Sequence, residues 1–226
     1  GPSSLTCLYD PATPPTGLVL AFAMNAGGTT VVDASGNGNT GTVSGATWTT
    51  SGRYGDALVF DGVNDWVTIA DANSLDLTTG LTLEVWIFPT VLTGGTTNGW
   101  RTVLLKEAGS TASYDLYANQ DTNQPSAYLS IGGVDQGVIG PSQLPLNVWT
   151  HFAVTYDNAV QRLYINGVQV ATHSQTGAAL VSTGPLRIGG NAVWGEYFQG
   201  RIDNVRVYNR ALSASEITTN MNLAIP

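Results

Sequence analysis

The stretch Gly200-Arg201-Ile202-Asp203-Asn204-Val205-Arg206-Val207-Tyr208-Asn209, close to the C-terminal end of the 226-residue chain, alternates with the period of a β-strand. On strict alternation Asp203 shares a face with Val205 and Val207, and Asn204 and Arg206 take the other. The spacing therefore predicts a carboxylate turned toward an apolar core, where an unpartnered charge costs several kcal/mol. Two compensators suit it: a bound cation, or a ring of backbone N–H groups.

Outward from this stretch, period-2 runs separated by Gly, Asn and Asp recur from Gly17 onward, and helical periodicity is almost absent. Strands are expected at Leu18–Ala23, Ala57–Asp61, Trp66–Ala70, Leu81–Pro89, Thr102–Lys106, Tyr114–Asn119, Ala127–Ile131, Trp149–Tyr156, Gln161–Ile165, Val168–His173, Leu186–Ile188 and Phe198–Tyr208. Asp157-Asn158 and Asn166-Gly167 read as hairpin turns, the second suited to the two positive φ angles of a type I′ turn. Ser213-Ala214-Ser215-Glu216 is a capping box that opens one short helix, Ala214 to Asn220. The pattern is that of an all-β antiparallel sandwich. Residues 17–226 are expected to form it, with 1–16 a linker or N-terminal extension, because Asp10–Thr16 is Pro/Thr-rich like the semi-rigid linkers of extracellular multidomain proteins.

A formal net charge of −8, with Lys106 the sole lysine, disfavours nucleic acid and anionic membranes as partners, since both require clustered cations. Cys7 stands alone, so neither an internal disulfide framework nor a cysteine zinc site can be built. No apolar run is long enough to span a bilayer as a helix. A surface dominated by Thr, Ser, Asn, Gln and Gly suits a secreted or cell-surface bacterial protein, and a monomeric module within a larger chain is expected.

Asp33-Ala34-Ser35-Gly36-Asn37-Gly38-Asn39 sets oxygen-bearing side chains on alternate residues, the spacing by which a short loop wraps a hard cation. Asp61-Gly62-Val63-Asn64-Asp65 is a second oxygen-rich turn. Either loop alone is equally explained by local Asx turn bonding. Their order is more telling. DASGNGNTG (33–41), ALVFDGVNDWVTI (57–69), LTLEVWIF (81–88), NVWTHFAVTYDNAVQRLYINGVQV (147–170), LRIGGN (186–191) and GRIDNVRVYNRALSASE (200–216) together resemble the laminin G-like jelly rolls of the concanavalin A-like lectin/glucanase superfamily. The resemblance implies two packed antiparallel sheets and a structural calcium near the early loop and an Asp of the last long strand. On it, Asp33, Asn37, Asn39, Asp61 and Asp203 are the metal candidates.

Sugar-binding relatives use aromatic platforms beside amide or carboxylate groups. Trp86 and Trp149 are expected in the core, and Trp48 and Trp66 in packing. Trp100 and Trp194 sit among Gly, Asn and Thr, where a large ring is hard to bury, and are the candidate platforms. Their neighbours Arg101, Lys106, Glu107, Glu196 and Tyr197 join them as candidate ligand-binding residues, with Asp115, Asn119 and Gln124 on the same face. Whether that face is the concave sheet or the loop rim stays open.

Catalysis is not expected. Glu84, Glu107, Glu196 and Glu216 are the only glutamates, and none forms the paired-carboxyl motif of the catalytic relatives. His151 and His173 are the only histidines, His151 belongs to a strand start typical of the fold, and no Gly-x-Ser-x-Gly elbow is present. The expected function is a calcium-stabilised, non-catalytic module binding a polysaccharide or oligosaccharide. Two alternatives remain: a protein-binding adhesion domain, and a glycan-active hydrolase or lyase.

Overall fold

The structure is a computed structural model and describes residues 14–25, 27–94 and 99–226. Cys7, the linker up to Thr13 and most of the Thr93–Gly99 loop lie outside the described residues. In chain order the strands are β1 (Leu18–Phe22), β2 (Thr30–Val31), β3 (Gly41–Ser44), β4 (Thr47–Thr49), β5 (Ala57–Asp61), β6 (Trp66–Ile69), β7 (Leu81–Val91), β8 (Arg101–Ala108), β9 (Thr111–Asn119), β10 (Ser126–Ile131), β11 (Val134–Ile139), β12 (Thr150–Tyr156), β13 (Val160–Ile165), β14 (Val168–Ser174), β15 (Leu186–Ile188) and β16 (Gln199–Tyr208). The helix α1 (Ala214–Met221) follows.

They form two antiparallel sheets. The first runs β14-β13-β12-β7-β16-β5-β4 with β1 also on β16, and the second runs β11-β10-β9-β8-β15-β6-β3-β2. Strand alternation sends Leu83, Val85, Ile87, Phe152 and Val154 from the first sheet into one core with Leu104, Tyr114, Leu116 and Leu129 from the second. The helix caps the outer side of the first sheet. Its N-cap Ser213 and Glu216 form the expected reciprocal capping box, and the turn at Asn166-Gly167 has positive φ at both residues, 51° and 78°.

The hub is β16. It pairs with β7 on one edge, and on the other with β5 through Gln199–Ile202 and with β1 through Val205–Tyr208. Where the partner changes, the β16–β7 register slips between Asp203 and Arg206, and Asn204 adopts φ 47°. This bulge inserts one residue into the alternation. Ile202, Val205 and Val207 face the core, whereas Asp203 lies opposite Trp86 and Arg206 opposite Glu84, on the outer face. Asp203 therefore does not share the face of Val205 and Val207, because strict alternation fails at Asn204.

Trp86 and Trp149 likewise leave the inter-sheet core. Trp86 is buried on the outer side of the first sheet, edge-on to Tyr54 and to His151, with the Arg53 guanidinium 4.4 Å above it. Trp149 packs on Phe88 at 5.6 Å. His151 is sealed beneath Trp86, and burial lowers its pKa to about 3, so it is a neutral packing residue at ordinary pH.

Candidate functional site

The outer face of the second sheet holds a cavity of about 280 Å³ lined by Trp100, Ala112, Asp115, Tyr117, Tyr128, Asp135, Trp194 and Glu196. Strands β9, β10 and β11 supply its floor. Asp115 and Tyr117 are two residues apart on β9, so both project from the face opposite core residues Tyr114 and Leu116. Tyr128 enters from β10, and Gly137 on β11 makes room for it: a Cβ there would stand 2.2 Å from the Tyr128 ring. Trp100 stands on Tyr117, edge to face at 4.9 Å, and leans over Tyr128 at 6.2 Å.

The opposite wall is the loop between β15 and β16. It folds back on itself through a bridge between Gly190 and Tyr197, and through hydrogen bonds from Asn191 N to Glu196 O and from Trp194 N to Asn191 Oδ1. Glycine is required at its start. At Gly189, φ is 85° and a Cβ would lie 2.1 Å from Phe60. The consequence is a tip that leaves Trp194 45% exposed while Glu196 turns inward. Glu107 steadies this loop by accepting from Ala192 N and from Arg187 Nε.

Three carboxyl groups line the cavity. Glu196 Oε2 accepts from Tyr117 Oη at 2.6 Å and Asn191 Nδ2 at 3.0 Å, and burial raises the acid's pKa. Asp115 is nearly sealed, with Oδ1 accepting from Tyr128 N at 2.8 Å. Burial, followed by the charges of Asp135 and Glu196, holds its pKa well above the usual carboxylate range. Asp135 is exposed at the rim. Aromatic faces beside acceptor groups are what a pyranose ring uses: its C–H face stacks and its hydroxyls donate.

Of the expected ligand-binding residues, the fold brings Trp100, Asp115, Trp194 and Glu196 to this cavity. The rest support it or lie elsewhere. The Arg101 guanidinium is consumed by the carbonyls of Leu92, Gly94 and Tyr197. Lys106 is buried against Asp71 and the Gly184 carbonyl. Asn119 donates to the Gly99 and Gln120 carbonyls, and Gln124 accepts from Thr122. Tyr197 stacks on Trp66 at 5.8 Å, away from the cavity lining, with Arg187 4.2 Å from the Trp66 ring. Sequence reasoning missed Tyr117, Tyr128 and Asp135. The first was within reach, since a strand that directs Asp115 outward must direct Tyr117 with it.

The metal candidates fall into separate polar networks. Asp33 accepts four donors: Ala21 N and Ser35 N on Oδ1, Ser35 Oγ and Asn39 N on Oδ2, all at 2.8–2.9 Å. Asn37 and Asn39 donate to the carbonyls of Leu18 and Val19. Asp61 caps its own turn by accepting from Val63 N. Asp203 accepts from Arg53 N and Tyr54 N on Oδ2 and from Asn204 Nδ2 on Oδ1. Of the two compensators open for Asp203, the backbone N–H groups are present. Saturated by donors, Asp33 and Asp203 do not fit a shared calcium, and among the described residues no group of three His, Cys, Asp or Glu side chains converges on a point.

Residues 61–218 match a laminin G-like family of the Concanavalin A-like lectin/glucanases superfamily. Mouse (Mus musculus) pappalysin-1 is 33% identical over 78 residues, 32% of this chain and 5% of that protein. Among solved structures, the binding domain of Paraclostridial Mosquitocidal Protein 1 superposes with a TM-score of 0.69 at 18% identity over 91% of this chain and 52% of that one. Domain 4 of AbnA, a GH43 extracellular arabinanase from Geobacillus stearothermophilus solved with arabinotriose, superposes with a TM-score of 0.66 at 21% identity, covering 90% of this chain and 98% of that domain. The chain thus spans a small part of pappalysin-1 and about half of the mosquitocidal binding domain. At these identities the superpositions show the fold.

Proposed function

The chain belongs to the laminin G-like family of the concanavalin A-like lectin/glucanases superfamily, and on that premise we propose that it is a non-catalytic carbohydrate-binding module whose sugar site is the aromatic cavity of the second sheet. The observation that carries this reading is an exposed Trp194 facing a half-buried Trp100 across a cavity floored by Tyr117, Tyr128 and Asp115. Leaving an indole exposed to water forgoes the free energy of burying its apolar face, and a sugar C–H face stacked on it recovers that burial. The arabinotriose held by AbnA domain 4 supports a glycan as the ligand of this fold type. A secreted parent protein is part of the same proposal, supported by the extracellular arabinanase. Structural calcium, implied by family resemblance, is not favoured at Asp33 or Asp203.

A glycan array probed with the wild type and with Trp194→Ala tests the site. The expected result is a glycan signal that the mutant loses while keeping its melting temperature. Silence toward every glycan would transfer the weight to a protein-binding adhesion domain. One observation favours a hydrolase instead: Asp115 and Glu196 share the cavity, and both hold raised pKa values. Against it, Glu196 Oε2 is committed to Tyr117 and Asn191. Reducing sugar released by the purified protein, and lost in Glu196→Gln, would make hydrolysis the function.

A further inference from the structure

We propose that the cavity is built for a sugar unit carrying a protonated amine, so that the module prefers a deacetylated amino-sugar polymer to neutral or acidic glycans. The inference rests on the carbohydrate-binding reading and names its ligand class. Every charged residue of the lining is acidic: Asp115, Asp135 and Glu196. The nearby cations are committed elsewhere, Arg101 to backbone carbonyls, Arg187 to Glu107 and Thr68, and Lys106 to Asp71. An anionic sugar would find no cation in the lining, and each acid there that ionises would repel it.

Asp115 is the second, independent observation. It is 4% exposed, it lines the cavity, and only Oδ1 has a hydrogen-bond donor among the described residues. Its other oxygen opens to the cavity, where it can accept from a ligand donor. An ammonium supplies both the donor and the opposite charge, and the faces of Trp100, Tyr117 and Tyr128 add cation–π attraction. The cavity, about 280 Å³, lies at the lower end of ligand-sized pockets, enough for one sugar unit of a chain that continues over Trp194.

Proton balance gives a distinctive readout. The groups facing Asp115 are Asp135 from β11, Glu196 from the loop after β15, and the hydroxyl-bearing Tyr117 and Tyr128 from β9 and β10. Burial and the charges of the two acids favour the protonated form of Asp115 in the empty cavity. An ammonium favours the carboxylate, so its binding is expected to form a carboxylate–ammonium pair and to release protons to buffer.

Calorimetry with a glucosamine oligomer, its fully N-acetylated counterpart and an arabinose oligomer, run in two buffers of different ionisation enthalpy, tests this. The glucosamine oligomer is expected to bind at least about ten-fold tighter than the other two, as an added charge pair worth ~1.4 kcal/mol implies, and to release protons. Asp115→Asn should abolish the release and most of the preference. Asp135→Asn, at the exposed rim, should weaken the preference with the fold intact, whereas Trp194→Ala should weaken all binding sugars alike. Equal or tighter binding of the N-acetylated or arabinose oligomer, or binding without proton release, would overturn the amine preference and leave the module a lectin. Failure of every glycan, array included, would overturn the carbohydrate reading as well.

Discussion

Asp33 is a small side chain with a large structural task. Its four accepted bonds tie β1 to the loop after β2, and an amide can accept on only one of its two heavy atoms. Asp33→Asn should cost about 2–4 kcal/mol in urea unfolding, because at least one buried donor then faces the donor-only amide nitrogen. Glu84 is the opposite case. It is fully buried, its Oε1 accepts from Asn220, its Oε2 has no partner, and burial pushes its pKa up to about 7. The unfolded carboxyl titrates near ~4.3, so between about pH 4.5 and 7 the folded state holds a proton that the unfolded state has lost. Stability from this group therefore falls as pH rises through that window and is flat above it, by up to ~3 kcal/mol. Asp203, raised to about 6 by burial, adds a decline over a lower range. Glu216 acts in reverse: its bonds to Arg210 and Ser213 hold it at about 2, and that stabilisation disappears as pH falls toward 2. Melting temperature should accordingly peak near about pH 4 and decline up to about pH 7, and Glu84→Gln should flatten the decline. A Glu84→Gln protein with the wild-type slope would remove Glu84 from the account.

At the scale of elements, β16 shows how one residue redirects a strand. Asn204 absorbs the switch from β5 to β1 with φ 47°, and its side chain bonds both Asp203 Oδ1 and Ile225 N. Asn204→Ala should cost about 2–3 kcal/mol, combining left-handed strain with the lost bonds. Asn204→Gly should recover only the conformational part, about 1 kcal/mol, in chemical denaturation. Period-2 alternation marked β5, β7, β12 and β15 within two residues, since each carries an uninterrupted apolar face. It did not mark β2, β3, β4 or β11. Those strands are short or carry Gly, Asp and Gln, and pairing with longer neighbours holds them in place. The omission of β11 mattered most, because Asp135 and the Gly137 space for Tyr128 both sit on it. Gly137→Ala is expected to displace Tyr128 and weaken sugar binding about ten-fold with little loss of fold stability, measured by the same calorimetry.

Across the whole molecule, distant loops are fastened by carboxylates receiving N–H groups. Asp203 holds residues 150 and 149 positions away, and Asp33 reaches β1 across 12. A chelator should therefore shift the melting temperature by less than about 1 °C, because removing a ligand destabilises only a state that binds it. A fall of several degrees would restore calcium to the family-typical role. By itself the sequence determined the two-sheet architecture, most strands and the capped helix, because alternation, turn chemistry and capping are local properties of neighbouring residues. Only the tertiary structure decided that Asp203 faces outward, that it and Asp61 sit in networks separate from that of Asp33, Asn37 and Asn39, and that Tyr117 and Glu196, 79 residues apart, close one acidic aromatic cavity. Those outcomes depend on a bulge and on strand order, and both arise from which strands pair, a long-range choice that no local pattern of side chains records.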